Sequence, residues 1–192
     1  DVLGSRGLGD VYKRQEKCIR CGKCIHSCPF GAIASKTFIV PVIEALKAGK
    51  HIYAMAAPAT EGQFGVDITM ASWKKAMKEM GFTDFYDVGL GGDMTAAYEA
   101  EEWAEAYKEG NKKVTSCCPA FVNMVRLHYP ELAECVSTTV SPMCAVSRLI
   151  KAKDPEAITV FIGPCVAKKS EVADQKIAVS YTHLTLPTKL EV

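Results

Sequence analysis

Apolar positions along this chain switch repeatedly between helical and strand-like spacing. Ile39, Val42, Ile43 and Leu46 fall on one face of a helix, and "HIYAMAA" (51–57) is continuous enough for a buried strand. Trp73, Ala76, Met77 and Met80 mark a second helix that Gly81 ends, and "DFYDV" (84–88) is the strand after it. A third helix, over roughly 94–108, carries Ala97, Ala100, Ala104 and Tyr107 on one face. "KVTS" (113–116) reads as a third strand, Phe121, Met124 and Val125 as a helix, a further helix follows Pro142, and "AITVFI" (157–162) is a fourth strand. Strands alternating with helices predict an α/β fold with a parallel sheet flanked by helices.

Each predicted strand runs into an unusual loop: "PATEG", "GLGGD", "CCPA" and "GPCVAKK". Ligands of open parallel sheets bind at the carboxyl ends of the strands, so the four loops are expected to converge on one site. "GLGGD" lacks the third glycine of a dinucleotide fingerprint; its glycines are expected to let backbone approach something bulky.

Composition narrows the classes. The 192 residues carry 23 basic and 22 acidic side chains, a net charge of +1, and 48% hydrophobic residues. That balance, with no basic stripe, gives no electrostatic case for nucleic acid. No apolar run reaches the roughly 18 to 20 residues of a membrane span, and no apolar signal core opens the chain, so a cytoplasmic location is expected. The ends, residues 1–15 and 179–192, have little periodicity and resemble translated adapter or vector sequence; they are expected to lie outside the fold, with the natural protein continuing in both directions.

Nine cysteines is a high and odd number, and four of them sit in "CIRCGKCIHSCPFGAI". Cys18, Cys21, Cys24 and Cys28 have the C-x2-C-x2-C-x3-C-P spacing of bacterial ferredoxins, in which the backbone wraps a 4Fe-4S cluster and Pro29 turns the chain away. A four-cysteine zinc site is the competing reading of such a set. The fourth cysteine of such a run serves a neighbouring cluster in two-cluster ferredoxins. Cys28 therefore either completes this cluster or ligates another one, and the second arrangement is favoured. Residues 16–35 are read as this ferredoxin-type module.

A second cysteine group sits behind the strands. Cys117 and Cys118 are adjacent, so in extended chain their side chains point opposite ways, one suited to a metal and one left free. Cys165 follows the last strand, with Lys168 three residues on as a nearby cation.

"TSCCPAF" (115–121) resembles the first signature of the iron-only (FeFe) hydrogenases, "GPCVAKKSE" (163–171) resembles their second, Pro-Cys-x-x-Lys-x-x-Glu, and "SPM" (141–143) fits the Ser-Pro between them. The likeness runs from the ferredoxin motif to about Ala178, which makes 36–178 the first lobe of a hydrogenase catalytic domain.

The resemblance implies an active-site H-cluster, a 4Fe-4S cube joined to a two-iron unit with carbonyl, cyanide and dithiolate ligands. Cys118 and Cys165 would be two of the cube's four thiolates, and Cys117 would stay unligated and pass protons. Lys168 would hydrogen-bond a cyanide, and the Ala57-Pro58 backbone would line the two-iron unit. Glu99 and Glu102, three apart on a helix, and Ser137 match the family's relay, in the order Cys117, water, Glu99, Ser137, Glu102, solvent. Glu171 fits the second signature either as relay or as ion-pair partner. The implied activity is reversible reduction of protons to H2. The implied partners are a ferredoxin or similar electron carrier and the cluster maturation proteins.

The chain departs from the pattern in three places. Phe121 stands where many members have tryptophan, and Gly163 where they have methionine. The family's third signature, with two further cluster cysteines, is absent, so this piece is expected to be inactive alone. Cys135 and Cys144 precede Cys165 and lack that signature's spacing; they read as small core residues, and His26, His51 and His128 as ordinary ones. The alternatives are a hydrogenase-like iron-sulfur protein for electron transfer, sensing or cluster assembly without H2 chemistry, and a simple ferredoxin-like carrier. The first gives no role to Cys117, Lys168, Glu99 and Ser137; the second leaves the whole later cysteine group without one.

Overall fold

The computed structural model describes residues 15–35, 37–173 and 181–183. Four strands, β1 (Ile52–Ala56), β2 (Asp84–Asp87), β3 (Ile158–Ile162) and β4 (Tyr181–His183), form one parallel sheet in the order β2-β1-β3-β4. The helices are α1 (Lys23–His26), α2 (Ile39–Lys47), α3 (Met70–Glu79), α4 (Gly89–Lys108), α5 (Pro119–His128), α6 (Pro142–Lys153) and α7 (Lys168–Ala173). The α/β class expected from the pattern is the one found. The backbone of β4 falls inside 179–192, the stretch set apart for its low periodicity and its likeness to adapter sequence.

Period-two alternation divides the core into two layers. Ile52, Ala54 and Ala56 of β1, Phe85 of β2, and Val160 and Ile162 of β3 pack with Val42 and Ala45 of α2 and Trp73 and Met77 of α3. Met55 and Phe161 point the other way, onto Met143, Cys144, Val146 and Ile150 of α6. Thr69 caps α3, its side chain accepting from the Ser72 amide, and Lys74 and Lys78 of α3 each reach Asp84 of β2 at 3.1 Å.

Three expectations fail, each for a physical reason. "KVTS" is not a strand of the sheet: Val114 makes one isolated parallel bridge to Val136, far too little pairing to hold an edge, and Val114 is exposed. "GLGGD" is not a loop but the first turn of α4, which starts at Gly89 rather than near 94. A Cβ on Gly91 would stand 2.2 Å from the Pro142 carbonyl oxygen, so the bulky neighbour that this glycine admits is the backbone of α6. Finally, Ala97, Ala100, Ala104 and Tyr107 face solvent, while α4 buries Gly91, Thr95 and Ala106, with Glu99 and Glu102 half-buried on the same side. Alanine tolerates either environment, and here the polar line is the one that finds partners.

Candidate functional site: two thiol groups and a carboxylate line

The ferredoxin-like run packs against α5 and α7. Asn123 Nδ2 donates to the Ile19 carbonyl at 3.4 Å, His128 Nε2 meets the Lys17 carbonyl at 3.1 Å, and Lys169 Nζ donates to Ser35 Oγ at 2.8 Å. Gly22 has a left-handed φ of 79°, and a Cβ there would lie 3.0 Å from Val166 Cγ2, one residue past Cys165. Glycine at this position thus meets both a turn and a close approach.

Among the described residues no three His, Cys, Asp or Glu side chains converge on one ion-sized point; Cys18, Cys21 and Cys24 line a cavity of about 1240 Å³. Backbone amides already address two of the sulfurs. Arg20 N–H donates to Cys18 Sγ and Ala32 N–H to Cys28 Sγ, both at 3.4 Å. Hydrogen bonds from the Ala32 and Phe30 amides hold the Cys28 thiol below its ordinary pKa. Soft thiols, amide donors and a roomy, mostly apolar cavity suit an iron-sulfur cluster.

The later group assembles around α5 and α7. Cys118 is the N-cap of α5, whose first residue is Pro119, fixing where the vicinal pair leaves the extended segment. Lys168, at the start of α7, donates through its backbone to the Cys165 carbonyl at 3.3 Å and through Nζ to the Cys117 carbonyl at 2.9 Å. Its ammonium also pairs with Glu171 Oε2 at 3.0 Å, both side chains being about one-eighth exposed. The structure therefore ties Cys117, Cys165 and Lys168 to one neighbourhood. Cys117 and Cys118 are exposed and Cys165 half-buried. Ala57 joins them from β1: its amide donates to the Ile162 carbonyl at 2.8 Å, and its Cβ lies 3.0 Å from where a Cβ on Gly163 would stand. Pro58 opens the short 3₁₀ turn Pro58–Thr60, held by Thr60 Oγ1 donating to Ala57 O at 2.7 Å.

Glu99 and Glu102 both turn toward this side of α4. Glu99 accepts the Ser116 amide proton at 2.9 Å and the single Thr115 hydroxyl proton, with Thr115 Oγ1 2.8 and 3.0 Å from its two oxygens; Ser116 Oγ lies 3.2 Å away. Ser116 Oγ also makes a short contact to the Thr139 carbonyl. Glu102 accepts from the Thr138 amide at 3.2 Å and, in a short contact, from Thr138 Oγ1. Burial pulls the Glu102 pKa upward, but hydrogen bonds from Thr138 and Ser137 and the charge of Lys113 outweigh it and hold the carboxyl below its usual range. Ser137, nearly buried, accepts from Thr139 N at 3.1 Å.

Thr115, Ser116, Thr138 and Ser141 were not singled out from the sequence as partners of this network. The hydroxyl-rich run "VSTTVS" (136–141) was the available signal. Cys144 is buried, as expected; Cys135 is half-buried beside the Val114 bridge. His51 bonds Asp154 at 2.9 Å, at the opposite end of β1 from Ala57.

Comparison with known proteins shows the family. Residues 50–188 match the family described as iron only hydrogenase large subunit, C-terminal domain, and residues 11–34 match a 4Fe-4S binding domain. The chain is 27% identical to the NADP-reducing hydrogenase subunit HndD of Solidesulfovibrio fructosivorans, over 85% of this chain and 32% of that protein. It is 32% identical to iron hydrogenase 1 of Clostridium pasteurianum, over 74% of this chain and 28% of the relative. It is also 32% identical to the periplasmic Fe hydrogenase large subunit of Nitratidesulfovibrio vulgaris, over 82% of this chain and 50% of the relative. The chain thus spans half or less of the length of these curated relatives. With the match covering most of its length, the chain belongs to the iron-only hydrogenase large-subunit family and carries a 4Fe-4S binding domain ahead of the hydrogenase domain.

Proposed function

We propose that this chain serves reversible proton reduction to H2, with electrons arriving through a 4Fe-4S cluster held by Cys18, Cys21 and Cys24, while Cys28 either completes that cluster or ligates a neighbouring one. Cys118 and Cys165 are then thiolates of the cube of an H-cluster, and Ala57-Pro58 lines its two-iron unit. When bound, that unit supplies a redox-active centre at which protons and electrons combine. A ferredoxin or similar carrier delivers the electrons, maturation proteins install the two-iron unit, and the cytoplasm is the compartment, although one relative carries a periplasmic name. Among the described residues no helix is long and apolar enough to cross a membrane.

One observation carries the reading: Lys168 Nζ lies 2.9 Å from the Cys117 carbonyl while Glu99 is bonded to Ser116, the residue before Cys117. An ammonium has three N–H donors. Cys117 O and Glu171 take two of Lys168's, which leaves one for a ligand atom such as a cyanide nitrogen, in a place shielded enough from water for a charge-assisted bond to be strong. The Cys117 thiol holds the proton to be delivered, and Glu99, Ser137 and Glu102 hand it on toward solvent.

The test is H2 evolution from reduced viologen by the matured full-length protein. Cys117→Ser is expected to abolish turnover while retaining the parent's iron. Parent-level H2 evolution from that variant removes Cys117 from the proton path. An iron-loaded parent that evolves no H2 favours an electron-transfer, sensing or assembly role.

A further inference from the structure

Cys144 has no part in the reading above, yet it is 1% exposed and sits at the end of a continuous polar line into the site. Ser141, 3% exposed, lies with its Oγ 3.4 Å from Cys144 Sγ and 3.1 Å from Glu171 Oε2. The same Glu171 oxygen takes the Lys168 ammonium at 3.0 Å, and that ammonium reaches the Cys117 carbonyl at 2.9 Å.

Proton bookkeeping orients every bond in the line. A carboxylate only accepts and an ammonium only donates. The single hydroxyl proton of Ser141 must therefore go to Glu171, so the contact to Cys144 is made by the thiol donating to the serine oxygen. That orientation requires Cys144 to keep its proton. Burial first, and then the Glu171 charge, push its pKa up to about 11, so it is a thiol at every working pH. The line reads Cys144 S–H to Ser141 O–H to Glu171 carboxylate, with Lys168 donating to Glu171 from the other side and to the Cys117 backbone.

We propose that Ser141 and Cys144 are positioning residues that fix the orientation of the Lys168 ammonium through Glu171. The functional half of this proposal rests on the reading of Lys168 as the cyanide partner. The two ends of the line come from different elements: Ser141 and Cys144 belong to the N-cap and first turn of α6, Glu171 and Lys168 to α7. A carboxylate with one donor can rotate about its last torsions; a second donor, itself locked by a buried thiol, removes that freedom. Lysine has a flexible four-carbon stem, so its aim depends on what holds the ammonium. Cys144 also packs with Met143, Val146 and Phe161, which anchors the line to the buried core.

Two measurements separate this proposal from the reading beneath it. The first uses the full 192-residue chain without cofactor: melting temperatures of Ser141→Ala, Lys168→Ala and the double variant. If the line exists, the double variant loses clearly less than the sum of the singles; strict additivity overturns the proposal whatever the enzyme does. The second uses infrared spectra of the matured full-length protein. Ser141→Ala and Cys144→Ala are expected to shift the cyanide stretching bands in the same direction as Lys168→Ala, by a smaller amount, and Cys144→Ser, which keeps a donor, to return them toward the parent. Bands that move in Lys168→Ala but stay at parent positions in both Ser141→Ala and Cys144→Ala overturn the positioning role. Bands that do not move even in Lys168→Ala overturn the cyanide reading instead, and the melting cycle alone then decides whether the line holds the ammonium.

Discussion

The carboxylate of Glu99 accepts the amide proton of Ser116 at 2.9 Å, one residue before the thiol of Cys117. The Thr115 hydroxyl, with its Oγ1 2.8 and 3.0 Å from the two carboxylate oxygens, holds the same group, so its position is set by the segment that carries the vicinal cysteines. Glu99→Gln keeps a side chain of the same shape but cannot carry a proton through a carboxylate. Loss of a positioned acid-base group costs roughly a hundredfold or more in rate. The expected outcome is that drop in viologen-driven H2 evolution by the matured full-length protein, with iron content unchanged; a parent-level rate removes Glu99 from the path.

Glu102 gives a prediction about acid. Its folded-state pKa lies below the ordinary glutamate value, because Thr138 and Ser137 hydrogen bonds outweigh burial. A depressed carboxylate stabilises the fold at pH above its unfolded pKa, about 4.3, and that contribution is lost as pH falls through the folded value. Glu102→Gln should therefore flatten the decline in denaturation midpoint as pH falls below about 4.3, and cost no more than about 1 kcal/mol at neutral pH because the site is open to solvent screening. A variant with the parent's acid limb would assign that limb to other carboxylates.

Those two carboxylates also mark how far the sequence could be read. Strands β1 and β3 followed from their continuous apolar runs because both of their faces are buried, and helix α3 from apolar spacing because it buries one side against the sheet. The motif around Cys18 was legible because binding a 4Fe-4S cluster constrains neighbours in the chain. Helix α4 was legible as a helix, but its start and its buried face were not: that face is Gly91, Thr95 and Ala106 with two glutamates, a polar pattern that makes sense only against "TS" (115–116) and Thr138, which are distant in sequence. The same holds for Ser141 and Glu171, thirty positions apart and joined by one hydroxyl proton. Helix periodicity reports burial against apolar surface. It is silent where a helix faces hydrogen-bond donors.

Cys21→Ser tests whether the ferredoxin-like run is an appendage to the core. Neither layer of the hydrophobic core includes a residue before Val42. The run is held by a few side-chain contacts to backbone, such as Asn123 to Ile19 and His128 to Lys17. Iron analysis of the reconstituted chain should show one cluster's worth of iron lost. The denaturation free energy of the α/β part should shift by no more than about 0.5 kcal/mol, the range of surface substitutions. A cooperative loss of the whole transition would make the cluster part of the folding unit.

Gly91 and Gly92, adjacent in α4, should respond oppositely to the same substitution. A Cβ on Gly91 would lie 2.2 Å from the Pro142 carbonyl oxygen and 2.8 Å from Val146 Cγ2; a Cβ on Gly92 would meet nothing within 4 Å. Alanine gains about 1 kcal/mol over glycine in a helix interior. At Gly92 that gain stands unopposed, so Gly92→Ala should raise the denaturation midpoint. At Gly91 the obstacle is backbone, which cannot rotate away as a side-chain end can, and forcing α4 from α6 costs typically 1–3 kcal/mol or more, enough to exceed the gain. Gly91→Ala should also reach the site, because α4 carries Glu99 and Glu102 while Ser141 caps α6. Widening that crossing pulls the carboxylates away from Thr115 and Thr138. Urea titration of the two variants side by side decides it: equal midpoints for Gly91→Ala and Gly92→Ala would mean that the two helices do not cross at Gly91.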